Sequence, residues 1–310
     1  MGLQVLAKRD DGFHNIESIF IPTQLCDVLE VHTRENAPEG ELKFECSGIE
    51  VNGSIQDNTI VRAHQILSEK FRLPAIKARL HKVIPTGAGL GGGSSDGTFM
   101  LKAINDICNL ELSEESLEKY AEELGSDCPF FVKNRTSFVR GRGEILTPIH
   151  DKKGPQRLEE MMILIIHPGV HINTSEAFAW LQEDKLKKEH QAHQVNKLKD
   201  KHNEFLSSTP VKNWCDLFTN DFENPVTSRF EPVKKALQLI KEAGADYIQM
   251  TGSGSSVYGI FGGSINSVKD TKVTLMAQKV AEKAKKEVKQ EFAEYPDSVL
   301  LIHILEKHIN

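Results

Sequence analysis

The pattern of apolar and polar positions divides the chain into recognisable elements. Residues 3–7 and 13–21 read as paired strands around Asp11-Gly12, a turn signal. Residues 25–32 and 41–46 read as further strands. Residues 58–70 form an amphipathic helix, with Ile60, Val61, Ala63, His64 and Leu67 near one face. Residues 76–84 read as a strand that runs into a glycine-rich loop. Beyond the loop, Met100, Ala103, Ile104, Ile107 and Cys108 fall at helical spacing. Ser113 starts another helix that ends near Gly125. Residues 130–132 and 137–139 are expected to be short strands.

Asp151-Lys152-Lys153-Gly154-Pro155 is a polar break and a plausible domain boundary. It divides the chain into residues 1–154 and 155–310. Residues 161–166 form a continuous apolar run, expected as a buried strand, and a helix starts at Thr174. Residues 181–212 are dense in Lys, Glu, His and Gln and read as a solvated helical insertion. Residues 232–243 form an amphipathic helix ended by Gly244. Strands at 247–250 and 257–261 flank a Gly/Ser turn, a helix spans 273–292, and a strand spans 298–305. The second half thus reads β-α-(insert)-α-β-β-α-β, close to a ferredoxin-like order.

Bulk composition narrows the function classes. The chain has 310 residues, 39% of them hydrophobic and 26% charged, an ordinary globular balance. A net charge of −6 argues against nucleic-acid binding by bulk charge. Cys26, Cys46, Cys108, Cys128 and Cys215 are scattered, with no zinc-like spacing. An odd, scattered set fits a reducing, cytoplasmic compartment. No apolar run reaches membrane-spanning length. The N-terminus is too short and polar for a signal peptide, and Leu6 stands where myristoylation wants Ser or Thr.

The chemistry concentrates in Pro85-Thr86-Gly87-Ala88-Gly89-Leu90-Gly91-Gly92-Gly93-Ser94-Ser95-Asp96, with five glycines in seven positions. Glycines let backbone N–H groups approach an anion, and a helix N-terminus adds partial positive charge. Ser94 or Ser95 is expected to cap that helix. Such a loop is a good phosphate cradle. It has no lysine before its serines, which excludes a P-loop. Gly87, Gly89 and Gly92 satisfy Gly-x-Gly-x-x-Gly. However, a second helix rather than a strand follows, against a dinucleotide fold.

Other segments, read alone, stay open. Phe13 and His14 could be a hairpin aromatic and a solvated histidine. Asp127 could be a loop residue bonding its own backbone. Thr251-Gly252-Ser253-Gly254-Ser255-Ser256 could be a tight turn, and Phe178 a core residue.

Together, and in order, these segments resemble the GHMP kinases. The glycine loop is similar to their central motif, Pro-x-x-x-Gly-Leu-Gly-Ser/Gly-Ser-Ser/Ala. Asp11-Gly12-Phe13-His14, Leu124-Gly125-Ser126-Asp127-Cys128-Pro129-Phe130-Phe131 and the 167–178 segment resemble the branch that phosphorylates 4-diphosphocytidyl-2-C-methyl-D-erythritol. The resemblance runs from residue 2 to about 262. It implies an α+β, two-domain GHMP kinase fold, with an N-terminal ribosomal S5 domain 2-like part and a C-terminal ferredoxin-like part.

It also implies roles. ATP would bind at Pro85, Gly87, Ala88, Gly89, Leu90, Gly91, Gly92, Gly93, Ser94 and Ser95, completed by Gly252, Ser253 and Gly254, with Mg²⁺ screening its charge. Asp127 would be the catalytic carboxylate. Phe13, His14 and Phe178 would hold the cytosine of a cytidine diphosphate-linked sugar alcohol. No metal ligand, protein partner, nucleic acid or membrane is implied. Mevalonate- or homoserine-type kinases are the alternative within the class. The family's opening Pro-x-Ala-Lys-Ile/Leu-Asn-Leu aligns before Met1, and Lys8 is no substitute for its lysine. A non-catalytic nucleotide-binding homologue is therefore the alternative outside the class.

Overall fold

A computed structural model describes residues 1–51, 53–149, 161–187, 211–216, 218–261 and 299–304. Strands β1 (Leu3–Lys8), β2 (His14–Phe20), β6 (Ser137–Arg140) and β7 (Ile145–Pro148) form an antiparallel sheet in the order β1-β2-β6-β7. A second sheet, β3-β5-β4, contains β3 (Val28–Thr33), β4 (Leu42–Gly48) and β5 (Ile76–Lys82). Here β5 runs antiparallel to β3 and parallel to β4.

Helices α1 (Thr59–Ser68), α2 (Gly92–Ile107) and α3 (Glu114–Leu124) cover one face of that second sheet. Ile60, Ala63 and Leu67 of α1 meet Ile76, Ala78 and Leu80 of β5 and Met100, Leu101 and Ile104 of α2. The helical and strand periods expected from sequence therefore converge on one apolar layer. Asn58 caps α1 by accepting the Ile60 N–H, and Ser113 caps α3 by accepting the Ser116 N–H.

The second half builds a four-stranded antiparallel sheet from β8 (Met162–His167), β9 (Tyr247–Met250), β10 (Val257–Phe261) and β11 (Val299–Ile304). Its order, β11-β8-β10-β9, places the first strand inside and the second at an edge, the ferredoxin-like arrangement. Strand β8 is buried on both faces. Leu164 and Ile166 enter one core, and Ile163 and Ile165 the other. Helices α5 (Thr174–Lys187), α6 (Glu223–Thr227) and α7 (Glu231–Glu242) accompany the sheet. Leu3, Val5 and Ile16 of the first hairpin share the core of Leu164, Ile166, Phe222 and Ile240.

Two expectations fail locally. Residues 130–132 are not a strand. They lie in a single helical turn, α4 (Phe130–Lys133), closed by Asn134 in the left-handed region. Buried Phe130 and Val132 mimic strand alternation, and a segment this short has no room to display a helical period. Neither Ser94 nor Ser95 caps α2. Gly91 does, at φ +69° and with no side-chain bond.

The 151–155 break, residues 188–210 of the charged segment and the 273–292 helix lie outside the described residues. Within the described part, α5 extends through residues 181–187. Among the described residues, no helix is long and apolar enough to cross a membrane.

Candidate active site

The glycine loop leaves the inner end of β5 and enters α2 without a capping side chain. That start leaves the first N–H groups of the helix, those of Gly92, Gly93 and Ser94, without partners inside the helix. Ser95 is already committed, because its N–H donates to the Gly91 carbonyl at 2.9 Å. The N-terminus therefore offers a cluster of donors and the positive end of the helix dipole.

The C-terminal motif forms the second wall. Thr251 Oγ1 donates to the Gly89 carbonyl at 2.8 Å, and Ser256 N donates to the Ala88 carbonyl at 3.2 Å. Gly89 adopts φ +73°, and a Cβ there would stand 2.5 Å from the Thr251 carbonyl oxygen and 2.9 Å from that of Gly254. Only glycine satisfies that conformation and that approach together. Thr174 Oγ1 and Ser253 Oγ lie 3.1 Å apart, which ties α5 to the same turn.

Asp127 arrives from the turn after α3. Thr98 Oγ1, on α2, lies 2.9 Å from the carbonyl oxygens of both Ser94 and Cys128. This bond docks the 126–129 turn beside the start of α2. Asp127 is exposed at the surface, with its carboxyl close to the Gly143 backbone, and the protein packed around it partly desolvates the carboxyl. That desolvation pushes its pKa up. A carboxylate so tuned is better suited to accept a hydroxyl proton near neutral pH.

Two of the three aromatic candidates meet. His14 and Phe178 stack at 4.6 Å between centroids, with 13° between planes. Phe178 packs edge-on to Phe222 at 4.9 Å. Gln182, one turn beyond Phe178, lies 3.2 Å from His14 Nε2. Phe13 is 51% exposed, unusual for a phenylalanine and suited to receiving a flat ring.

Sequence reasoning missed the pieces that connect these parts. The Gly141-Arg142-Gly143 turn between β6 and β7 spans from the aromatics to Asp127. Arg142 Cζ stands 5.0 Å from the Phe13 ring centroid, and a Cβ on Gly143 would be 3.0 Å from Asp127 Oδ1. The signal for that turn was paired glycines between two short apolar runs. Asn220 was missed as well. Its side-chain nitrogen donates to the carbonyls of Met250 and Gly252 at 2.8 Å each, which holds the C-terminal turn in place. An isolated Asn has no local signature of such a role. Among the described residues, no group of three or more His, Cys, Asp or Glu side chains could hold a metal ion.

Comparison with known proteins gives the family of the chain. The GHMP kinases N terminal domain model matches residues 58–135, and the GHMP kinases C terminal model matches residues 210–292. A 4-diphosphocytidyl-2-C-methyl-D-erythritol kinase of Bacteroides thetaiotaomicron is 41% identical over 263 residues, covering 84% of this chain and 88% of the relative. Another of that name, from Azobacteroides pseudotrichonymphae, is 40% identical over 84% of this chain and 90% of its own length. For the fold alone, a crystal structure of 4-(cytidine 5'-diphospho)-2C-methyl-D-erythritol kinase superposes with a TM-score of 0.69, at 23% identity, over 98% of this chain and 95% of that one. Homoserine kinase from Cytophaga hutchinsonii follows the same fold with a TM-score of 0.62, at 16% identity, over 97% and 96% of the two chains. The chain belongs to the GHMP kinases, which use ATP as phosphate donor, and within them to the 4-diphosphocytidyl-2-C-methyl-D-erythritol kinase family.

Proposed function

We propose that this chain transfers the γ-phosphoryl group of ATP to the 2-hydroxyl of 4-diphosphocytidyl-2-C-methyl-D-erythritol, a step of non-mevalonate isoprenoid precursor synthesis. The observation that carries this reading is the 40 and 41% identity, over 84% of the chain, to relatives named for that kinase activity. The contact of the Gly141–Gly143 turn with both Phe13 and Asp127 supports it. That turn sets an aromatic base platform beside a carboxylate.

In this reading ATP enters as its Mg²⁺ complex. Its phosphates lie on the N–H groups of the loop and of Gly92, Gly93 and Ser94, with Gly252, Ser253 and Gly254 closing the other side. The donor set suits phosphate oxygens, and the phosphates would carry the cation into the site with them. Phe13 and Phe178 give the cytosine apolar faces, and His14 reads its polar edge. Asp127 orients the acceptor hydroxyl and takes its proton as the new P–O bond forms.

Residues 1–154 would carry the phosphate loop and Asp127, and residues 155–310 the closing turn and Phe178. The reaction needs only the small acceptor and MgATP, with no protein, nucleic-acid or membrane partner, and suits the cytoplasm. A coupled ADP-release assay with this acceptor tests the proposal. Turnover that CMP or CDP inhibits is expected. Turnover with mevalonate or homoserine, and none with the cytidine substrate, would overturn it.

A further inference from the structure

Strand β5 contains an anomaly. Its inward positions run Ile76, Ala78, Leu80 and Lys82, so strand alternation drives an ammonium into an apolar layer. Lys82 Nζ lies 2.5 Å from Asp27 Oδ2 and 2.8 Å from Asp96 Oδ2. The three side chains are 2%, 3% and 8% exposed, respectively, so none reaches a ligand from the cleft. The second oxygen of Asp27 accepts the N–H groups of Val83 and Ile84 at 2.5 and 2.9 Å. Gly92 makes room for the cluster, since a Cβ there would stand 3.3 Å from Lys82 Nζ and 2.9 Å from Ile84 Cγ2.

The placement gives the cluster a purpose beyond stability. Lys82 ends β5, and Asp96 lies in the opening turns of α2, so one ammonium holds both ends of the glycine loop. Asp27 fixes the peptide groups that lead into it. A buried ion cluster is generally no more stabilising than well-packed apolar side chains, but it is directional. Two carboxylates around one ammonium are also more than charge neutrality requires. Desolvation, with Asp27 close by, pushes the Asp96 carboxyl up to about 6, although Lys82 opposes the shift.

We propose that Asp27, Lys82 and Asp96 are positioning residues that hold the phosphate loop at the span where its N–H groups converge on ATP. The proposal rests on the assignment of that loop to ATP. None of the three touches the nucleotide; they act through the backbone they clamp.

The test compares the full-length wild type with Lys82→Met, Asp96→Asn and the double variant Lys82→Met/Asp96→Leu. Calorimetry reads ADP affinity, steady-state kinetics reads both KM values, and thermal melting reads the fold. In Lys82→Met, the ADP Kd and the KM for ATP rise about ten-fold, and the acceptor KM stays within about two-fold. Asp96→Asn, which keeps the side-chain shape, shows the same split at about three-fold. The double variant leaves one buried carboxylate, Asp27, without an ammonium instead of two, so its melting temperature recovers in part relative to Lys82→Met while nucleotide affinity stays low. Recovery of affinity together with melting temperature would make the cluster merely structural. Folded Lys82→Met or Asp96→Asn enzyme with wild-type ADP affinity would also overturn the proposal. A wild type that binds no ADP would instead remove the ATP assignment beneath it.

Discussion

Asp127 and Gly89 are the residues whose roles can be read most directly from their surroundings. In the proposed mechanism, Asp127→Ala removes the proton acceptor but none of the ATP-binding loop. Turnover is expected to fall about 10³-fold while the KM for ATP stays within a few-fold, which steady-state kinetics will show. Because burial raises the Asp127 carboxyl and the base must be ionised, kcat/KM should fall as pH drops through a value above the ordinary carboxylate range. A pH profile with no acid limb above that range would contradict the assignment. The glycines separate conformation from space. Gly89→Ala meets a left-handed φ of +73° and a carbonyl oxygen at 2.5 Å. It should destabilise the fold by about 1–3 kcal/mol and weaken ATP binding. Gly93→Ala meets nothing within 4 Å and lies inside α2, so melting of the ligand-free protein should show it neutral or stabilised by up to about 1 kcal/mol. The sequence alone presented these glycines as equivalent members of one string.

The elements expected from periodicity formed where their pattern was long enough to distinguish. Helices α1, α2, α3 and α7 and strand β8 follow their apolar spacing. Residues 130–132 did not, because a buried residue at every second position over so short a run fits a strand or a single helical turn equally well. At α2 the capping expectation failed because Gly91, in the left-handed region, starts the helix without a side-chain bond, which suits the proposed ATP site. A serine cap would occupy N–H groups that an anion-binding helix start must leave open. The turn between β9 and β10 depends on Asn220, which is buried and bonds the Met250 and Gly252 carbonyls and the Phe222 N–H. Asn220→Ala leaves those groups without that partner and should lower unfolding free energy by about 2–3 kcal/mol, measured by urea denaturation. The KM for ATP should rise with it, because the turn that closes the phosphate loop loses its anchor.

For the whole molecule, the shared core matters most. Leu3, Val5 and Ile16 belong to the first hairpin but are buried with Leu164, Ile166, Phe222 and Ile240 of the second half. A fragment of residues 1–154 would expose that face. It should bind a hydrophobic dye and lack the cooperative melt of the full chain, whereas a sharp, dye-free transition would show that the first half folds alone. The sequence by itself determined the fold class, the glycine-rich loop at the start of α2 and the order of motifs, because local periodicity and ordered short motifs are properties of the chain. Only the tertiary structure decided which of those motifs come into contact. It brought Thr251 to Gly89, His14 to Phe178 and the Gly141–Gly143 turn to Asp127, and it placed a lysine between two aspartates beneath the loop. Each of these contacts joins residues far apart in the chain, and their proximity arises from how sheets and helices stack, which no local pattern encodes.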